Sequence, residues 1–245
     1  MLQNREGQRV PNVTFQVREN NAWKQVTTDD LFKGKTVVVF SLPGAFTPTC
    51  SSSHLPRYNE LAPTFARLGV DSVVCLSVND TFVMNEWARD QESAHIVLLP
   101  DGNGEFSAGM GMLVDKSNIG FGKRSWRYSM LVRDGVVQKM FIEPEKDGDP
   151  FEVSDADTML SYIDATAKAP DQVVVFSKPG CPFCIEAKAL LDTRGYNPIE
   201  IPLDNNVRGR VIGAVSGQGT APQIFINGEH IGGLDALKAR FATAS

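Results

Sequence analysis

Short runs of β-branched and aliphatic residues alternate along this chain with stretches whose apolar residues recur every three or four positions. Runs of the first kind read as strands and stretches of the second as amphipathic helices. "TVVVF" from Thr36, "DSVVCLSV" from Asp71, "HIVLLP" from His95, "YSMLVRD" from Tyr128 and "VVQKMFIE" from Val136 predict strands. Asp134-Gly135 between the last two predicts a hairpin turn. Helical spacing follows Cys50 in "SSSHLPRYNELAPTFARL" and recurs in "TFVMNEWARD" and "EFSAGMGM". In "SDADTMLSYIDATA", Ser154 with Asp157 three residues on predicts a capping box at a helix start.

The pattern then restarts. Beyond "KAPDQ", Lys168 to Gln172, come a strand "VVVFSK", a helix "FCIEAKALLDTRG", a strand "YNPIEIPL" and a helix "NVRGRVIGAV". A hairpin "PQIFINGEHIGG" turning at Asn227-Gly228 and a helix "DALKARFA" complete a βαβαββα order, enough for a small domain. The expected organisation is α/β, with a larger domain over residues 1–167, a linker over 168–172 and a smaller domain over 173–245.

Composition narrows the function. A net charge of -5 gives no reason to expect nucleic acid or an anionic membrane surface as partner. The first residues, "MLQNREGQRVPNV", lack the apolar stretch of a secretory signal, and no apolar run approaches a membrane span, so the expected compartment is the cytoplasm. Four cysteines, Cys50, Cys75, Cys181 and Cys184, are too few to staple 245 residues, which turns attention to thiol chemistry. A metal site is not expected, since there is one Cys-x-x-Cys pair, no histidine near it, and Cys75 lies inside an apolar strand as an inert core residue.

"PGAFTPTC", Pro43 to Cys50, places a thiol where a strand gives way to a helix. Free backbone N–H groups and the helix dipole favour thiolate there, which draws a thiol from about 8.5 toward neutrality and makes it a nucleophile. Pro43 shapes the turn, and Thr47 can turn its hydroxyl toward the sulfur, both donating and accepting as a peroxide O–O bond breaks. His54, four residues on, shares a face with Cys50 if the helix is regular, and an orienting hydrogen bond is its expected role. With "VPNVTF" upstream and "VVCLSVNDTFVMNEWARD" downstream, residues 3 to 165 resemble an atypical peroxiredoxin of the type 5 subfamily. That resemblance makes Pro43, Thr47 and Cys50 the Pro-x-x-x-Thr-x-x-Cys motif, and makes Arg127 of "RYSM" the arginine that stabilises the thiolate and the leaving oxygen. Many members carry a resolving cysteine near the end of this domain. "EPEKDGDPFEVSDADTML" has none, so an external thiol must reduce Cys50 sulfenic acid before it oxidises further.

"SKPGCPFCIEAKALL" supplies one. Cys181 and Cys184 form a Cys-x-x-Cys at a second strand-to-helix junction, a thioredoxin-like redox motif. The intervening Pro-Phe and the later "TAPQIFINGEHIGG" resemble glutaredoxin, with Phe183 in place of the commoner Tyr and Ala221 in place of Val. By that resemblance Lys178, Phe183, Thr220, Ala221, Pro222, Gly233, Leu234 and Asp235 hold glutathione, the last three at a helix N-terminus suited to its glutamyl carboxylate. A glutathione-ligated iron–sulfur cluster is disfavoured by Pro182.

Together the halves resemble the hybrid peroxiredoxin-glutaredoxin fusions, which implies two thioredoxin-fold domains. It also implies a peroxidase for hydrogen peroxide and small alkyl hydroperoxides, with glutathione or glutathione amide as co-substrate and no permanently bound cofactor. A short linker points to service between subunits of a homo-oligomer, a dimer or tetramer. The alternatives are a peroxide-sensing thiol switch that relays oxidation to a partner, and a holdase; Thr47 and Arg127 favour turnover over sensing.

Overall fold

A computed structural model describes residues 2–196, 198–203 and 206–243. The chain divides into two compact units, Met1–Ala169 and Pro170–Ser245.

In the first unit a hairpin of β1 (Thr14–Glu19) and β2 (Ala22–Thr27) leads into α1 (Thr28–Phe32) and then β3 (Thr36–Leu42). A helical turn over Cys50–His54 runs on into α2 (Leu55–Arg67), followed by β4 (Ser72–Ser77), α3 (Thr81–Asp90), β5 (Ile96–Pro100) and α4 (Glu105–Gly109). A small hairpin of β6 (Leu113–Asp115) and β7 (Lys123–Ser125) precedes β8 (Tyr128–Arg133), β9 (Val136–Ile142) and α5 (Ala156–Ile163). The main sheet runs β5-β4-β3-β8-β9, with the first three strands parallel and the last two antiparallel.

The period of two along β3 explains how this sheet carries a core on each face. Val38, Phe40 and Leu42 face α2, α3 and α5 together with Cys50 and Cys75, while Val37 and Val39 face the β1 and α1 side with Phe15, Phe32 and Phe106. All five expected strands form, and α3 has the bounds its sequence predicts. The β1-β2 hairpin escapes the sequence reading because its turn has no glycine. Asn20 and Asn21 take φ of 49° and 63°, the left-handed conformation a two-residue hairpin turn needs and asparagine tolerates.

One expectation is corrected. Asp155, not Ser154, caps α5, its Oδ1 accepting from the Thr158 N–H at 2.9 Å. Asp157 instead pairs with Arg57 at 2.6 Å. Ser154 is drawn off by a stronger acceptor, the buried Glu143 carboxylate, to which it donates its N–H at 2.8 Å and its hydroxyl at 2.7 Å. Glu143 also accepts from the N–H groups of Glu152 and Val153 at 2.8 and 2.9 Å, and so pins the segment entering α5.

The second unit comprises β10 (Val173–Ser177), α6 (Pro182–Thr193), β11 (Ile199–Pro202), α7 (Asn206–Ser216), β12 (Gln223–Ile226), β13 (Glu229–Gly232) and α8 (Leu234–Thr243). Its sheet runs β11-β10-β12-β13, with β10 and β11 parallel. Asn197, within the expected strand "YNPIEIPL", lies outside the described residues. Val173, Val175, Ile224 and Ile226 pack against Ala187 and Leu191 of α6 and Leu237 and Phe241 of α8. Each unit has the thioredoxin fold, with a strand that delivers a cysteine to a helix start. Among the described residues no helix is long and apolar enough to cross a membrane.

All three tryptophans, Trp23, Trp87 and Trp126, belong to the first unit, so tryptophan fluorescence reports its unfolding alone. Replacing Glu143 by Ala leaves four donors without their charged acceptor and should lower that unit's stability by about 2–4 kcal/mol. A denaturant titration followed by this fluorescence measures the change, and an unshifted midpoint contradicts the role given to Glu143.

Candidate active sites

Cys50 is fully buried at the end of the β3 to α2 connection. The turn before it is braced by the Asn79 amide oxygen on the Ala45 N–H at 3.0 Å and by the Thr47 hydroxyl, which donates to the Gly44 carbonyl at 2.9 Å. The Thr47 hydroxyl hydrogen is thus committed within its own turn, and its lone pairs are left for another donor. The helix after Cys50 is not regular: the Leu55 N–H reaches back five residues to the Cys50 carbonyl. Pro56 follows and has no N–H with which to extend the ladder.

This wide turn buries His54 under Phe40, Tyr58 and Phe151, with ring centroids 4.9, 5.5 and 4.9 Å away. Burial, and then the Arg127 charge, push the His54 pKa down to about 3, so its imidazole is neutral at any working pH. Its Nε2 lies 3.2 Å from the Ser154 carbonyl, an acceptor only, which assigns the ring proton to Nε2. Nδ1 is then an acceptor, and Arg127 Nη1 donates to it at 3.0 Å. The orienting role expected for His54 has a concrete form: it holds the arginine.

Arg127, from the residue just before β8, is 1% exposed. Its Nη2 lies 3.5 Å from Cys50 Sγ and donates to both oxygens of Asp149 at 2.5 and 2.6 Å. Burial works against its charge, but Cys50 and Asp149 more than offset that and hold the guanidinium protonated. Phe151 lies under its plane, 5.5 Å from ring centroid to Cζ. Beside this group a cleft of about 530 Å³ is lined by Pro43, Thr47, Pro48, Trp126 and Asp149 among others. The structure therefore brings Pro43, Thr47, Cys50 and Arg127 together, and adds Asp149, Ser154 and Glu143, which sequence reasoning missed. "EPEKDGDPF" holds four acids, Glu143, Glu145, Asp147 and Asp149, and spacing alone does not tell which one turns inward. Cys75 lies in the same core cluster as Cys50, and burial raises its thiol well above the usual range.

In the second unit Cys181 is the N-cap of α6. Its sulfur accepts from the Cys184 N–H at 3.3 Å and lies 3.8 Å from the Ala221 carbonyl. The hydrogen bond from Cys184, with help from neighbouring N–H groups and Lys178, holds the Cys181 thiol below its ordinary value. Cys184 is the buried partner, pushed up to about 11 by burial and by the Cys181 sulfur. The Ala221-Pro222 bond is cis. A Cβ on Gly233 would stand 3.6 Å from the Pro222 carbonyl, so the proline loop and the start of α8 meet there, bringing Ala221, Pro222, Gly233, Leu234 and Asp235 together. Lys178 and Phe183 are exposed beside Cys181, as is Thr220 beside the proline. Sequence reasoning missed Gln223 and His230. The Gln223 amide donates to the Thr220 carbonyl at 2.9 Å, and its oxygen lies 2.7 Å from His230 Nε2, so the pair fixes the proline loop from below.

Two thioredoxin-fold units, each presenting a cysteine at a strand-to-helix junction, define a thiol-based oxidoreductase. Sequence models of the Redoxin and Glutaredoxin families match residues 5–160 and 173–231. The chain is 60% identical over 237 residues to the Hybrid peroxiredoxin hyPrx5 of Haemophilus influenzae, covering 97% of this chain and 98% of that protein. Reduced Prx3 of Vibrio vulnificus in complex with hydrogen peroxide superposes with a TM-score of 0.61 at 40% identity, covering 65% of this chain and 98% of that one. The 1-Cys peroxiredoxin of Plasmodium falciparum superposes at 0.63 and 33% identity, covering 66% of this chain and 99% of that one. The chain belongs to the peroxiredoxin family, with a glutaredoxin domain fused behind the peroxiredoxin one, and it is a peroxidase.

The thiol environments order three of the cysteines. With its value lowered, Cys181 carries a larger thiolate fraction than an ordinary cysteine at the same pH, whereas Cys75 and Cys184, with values raised, carry a smaller one. Timed iodoacetamide labelling near pH 6.5 with peptide mass spectrometry should modify Cys181 well before Cys184 and Cys75. Labelling of Cys184 at the rate of Cys181 contradicts the assignment.

Proposed function

We propose that this protein is a glutathione-dependent thiol peroxidase acting on hydrogen peroxide and small alkyl hydroperoxides. The observation that carries this reading is Cys50 set 3.5 Å from the Arg127 guanidinium, in a unit whose only other cysteine is the deeply buried Cys75. The Cys50 thiolate attacks the peroxide; a sulfur–oxygen bond forms, the O–O bond breaks, and its electron pair leaves on an alkoxide or hydroxide that takes up a proton. Arg127 donates to the oxygen on which that charge collects. Cys50 is left as sulfenic acid, which condenses with glutathione to a mixed disulfide and water. The similarity to a peroxiredoxin solved with hydrogen peroxide supports the substrate.

Cys181 thiolate then attacks the glutathionyl sulfur and frees Cys50, and a second glutathione reduces Cys181 and departs as glutathione disulfide. Lys178, Phe183, Thr220, Ala221, Pro222, Gly233, Leu234 and Asp235 hold the glutathione moiety, which the convergence of the proline loop and the α8 N-terminus supports. Glutathione amide would fit the same scheme. Fusion raises the local concentration of Cys181 near its target. Five residues from Lys168 to Gln172 reach at most ~18 Å, so we assign the transfer to neighbouring subunits of a homo-oligomer, dimer or tetramer. We place the protein in the cytoplasm, where glutathione keeps thiols reduced.

An NADPH-coupled assay with glutathione and glutathione reductase tests the cycle. Cys50→Ser should abolish peroxide consumption and Cys181→Ser should lower it at least about tenfold. Cys184→Ser should leave it within about twofold, since a buried thiol at about 11 is a poor nucleophile at neutral pH. Full activity in Cys181→Ser means that glutathione recycles Cys50 directly; near-total loss in Cys184→Ser means a dithiol route.

A further inference from the structure

The Arg127 guanidinium sits in a place where the charge of its catalytic neighbour comes and goes. Sulfur at Cys50 is anionic as thiolate and neutral as sulfenic acid or mixed disulfide. Arg127 is 1% exposed, its Nε is buried without a partner among the described residues, and His54 beside it is neutral. A buried charge that loses its counter-ion is strongly disfavoured. Among the described residues, Asp149 is the carboxylate that pairs with Arg127.

The same carboxylate completes the geometry. A single hydrogen bond from Nη1 to His54 Nδ1, 3.0 Å long, leaves the guanidinium free to swing about that contact. A second fixed point on Nη2, the two Asp149 oxygens at 2.5 and 2.6 Å, sets its plane. Nη2 carries two hydrogens; one is engaged by Asp149 and the other is left for Cys50 Sγ at 3.5 Å. Unlike His54, Asp149 is partly exposed and stands in the wall of the cleft.

We propose that Asp149 is a positioning residue for peroxide reduction: it is the standing counter-ion of Arg127 and aims Nη2 at the oxygen leaving Cys50. This rests on the assignment of Cys50 as the residue that attacks peroxide. The charged and titratable groups set around the sulfur are Arg127 and Asp149 above it, neutral His54 on its own helix and the protonated Cys75 on β4. Lys146, on the same loop as Asp149, is engaged by Glu152 at 2.8 Å. Among the described residues, Asp149 is therefore the anion left to answer the arginine's charge when the sulfur is neutral.

The test compares two reactions of the same sulfur in the full chain. Oxidation by hydrogen peroxide needs a donor on the leaving oxygen, whereas alkylation by iodoacetamide expels iodide and needs none. Both second-order rate constants are read at Cys50 by rapid quench and peptide mass spectrometry for wild type, Asp149→Ala and Asp149→Asn. In Asp149→Ala the oxidation rate should fall by about tenfold or more while alkylation stays within about threefold. Asp149→Asn, which keeps an acceptor oxygen for Nη2 but loses the counter-charge, should fall between Asp149→Ala and wild type. Unchanged oxidation in Asp149→Ala overturns the proposal. A parallel fall of both rates also overturns it, because that is what a merely structural tether of the loop would give. The wild-type arm reads the underlying assignment separately: if Cys50 reacts with peroxide no faster than free glutathione does, the choice of Cys50 fails whatever Asp149 does.

Discussion

A guanidinium cannot be buried without acceptors, and much of the first unit is arranged to supply them to Arg127. His54 gives it a neutral acceptor, Asp149 an anionic one, and Phe151 an aromatic face. Each of these is itself held. The Ser154 carbonyl fixes the tautomer of His54 and also accepts from the Tyr58 hydroxyl at 3.0 Å. Glu143 holds Ser154 through its N–H and hydroxyl. The chain of contacts from β9 through the segment before α5 to the start of α2 ends at the Cys50 sulfur. Such support costs stability to build from polar groups, and in the proposed reaction it yields a donor that needs no rearrangement when charge develops on the peroxide oxygen.

The two units solve the same problem of activating a thiol by different means. Both use a cysteine at the junction of a strand and a helix, where free N–H groups are available. In the second unit that is nearly sufficient: Cys181 is partly exposed and takes its hydrogen bond from the Cys184 backbone, with Lys178 adding charge. Cys181 is thereby open to a peptide-sized thiol, and it stands beside the cis proline loop. Cys50 is fully buried, which suits a small, neutral co-reactant and puts the burden of charge stabilisation on a buried arginine.

The sequence exposed the skeleton of this account well. Strands such as β3 and β10 are short β-branched runs, and Asp134-Gly135 and Asn227-Gly228 announce their turns. Cys50, Cys181, Thr47 and Pro222 stand in local motifs and could be named from spacing and resemblance. What stayed hidden depends on contacts distant in sequence. Asp149 meets Arg127 across 22 residues and Ser154 meets His54 across 100, and neither separation follows from any local period. The Ser154–Asp157 box failed for the same reason, because a remote carboxylate competed for the serine. The Asn20-Asn21 turn was missed on chemistry rather than distance, since asparagine does there what glycine usually signals.

The central claim is that two thiols on separate units serve one cycle, and it is tested most directly by following a single glutathionyl group. Protein oxidised with one equivalent of hydrogen peroxide and loaded at Cys50 with isotopically labelled glutathione can be chased with excess unlabelled glutathione, quenched at intervals and mapped by mass spectrometry. The account predicts that the label passes from Cys50 to Cys181 before it is released as glutathione disulfide. Release of the label straight from Cys50, with Cys181 never carrying it, would contradict the account.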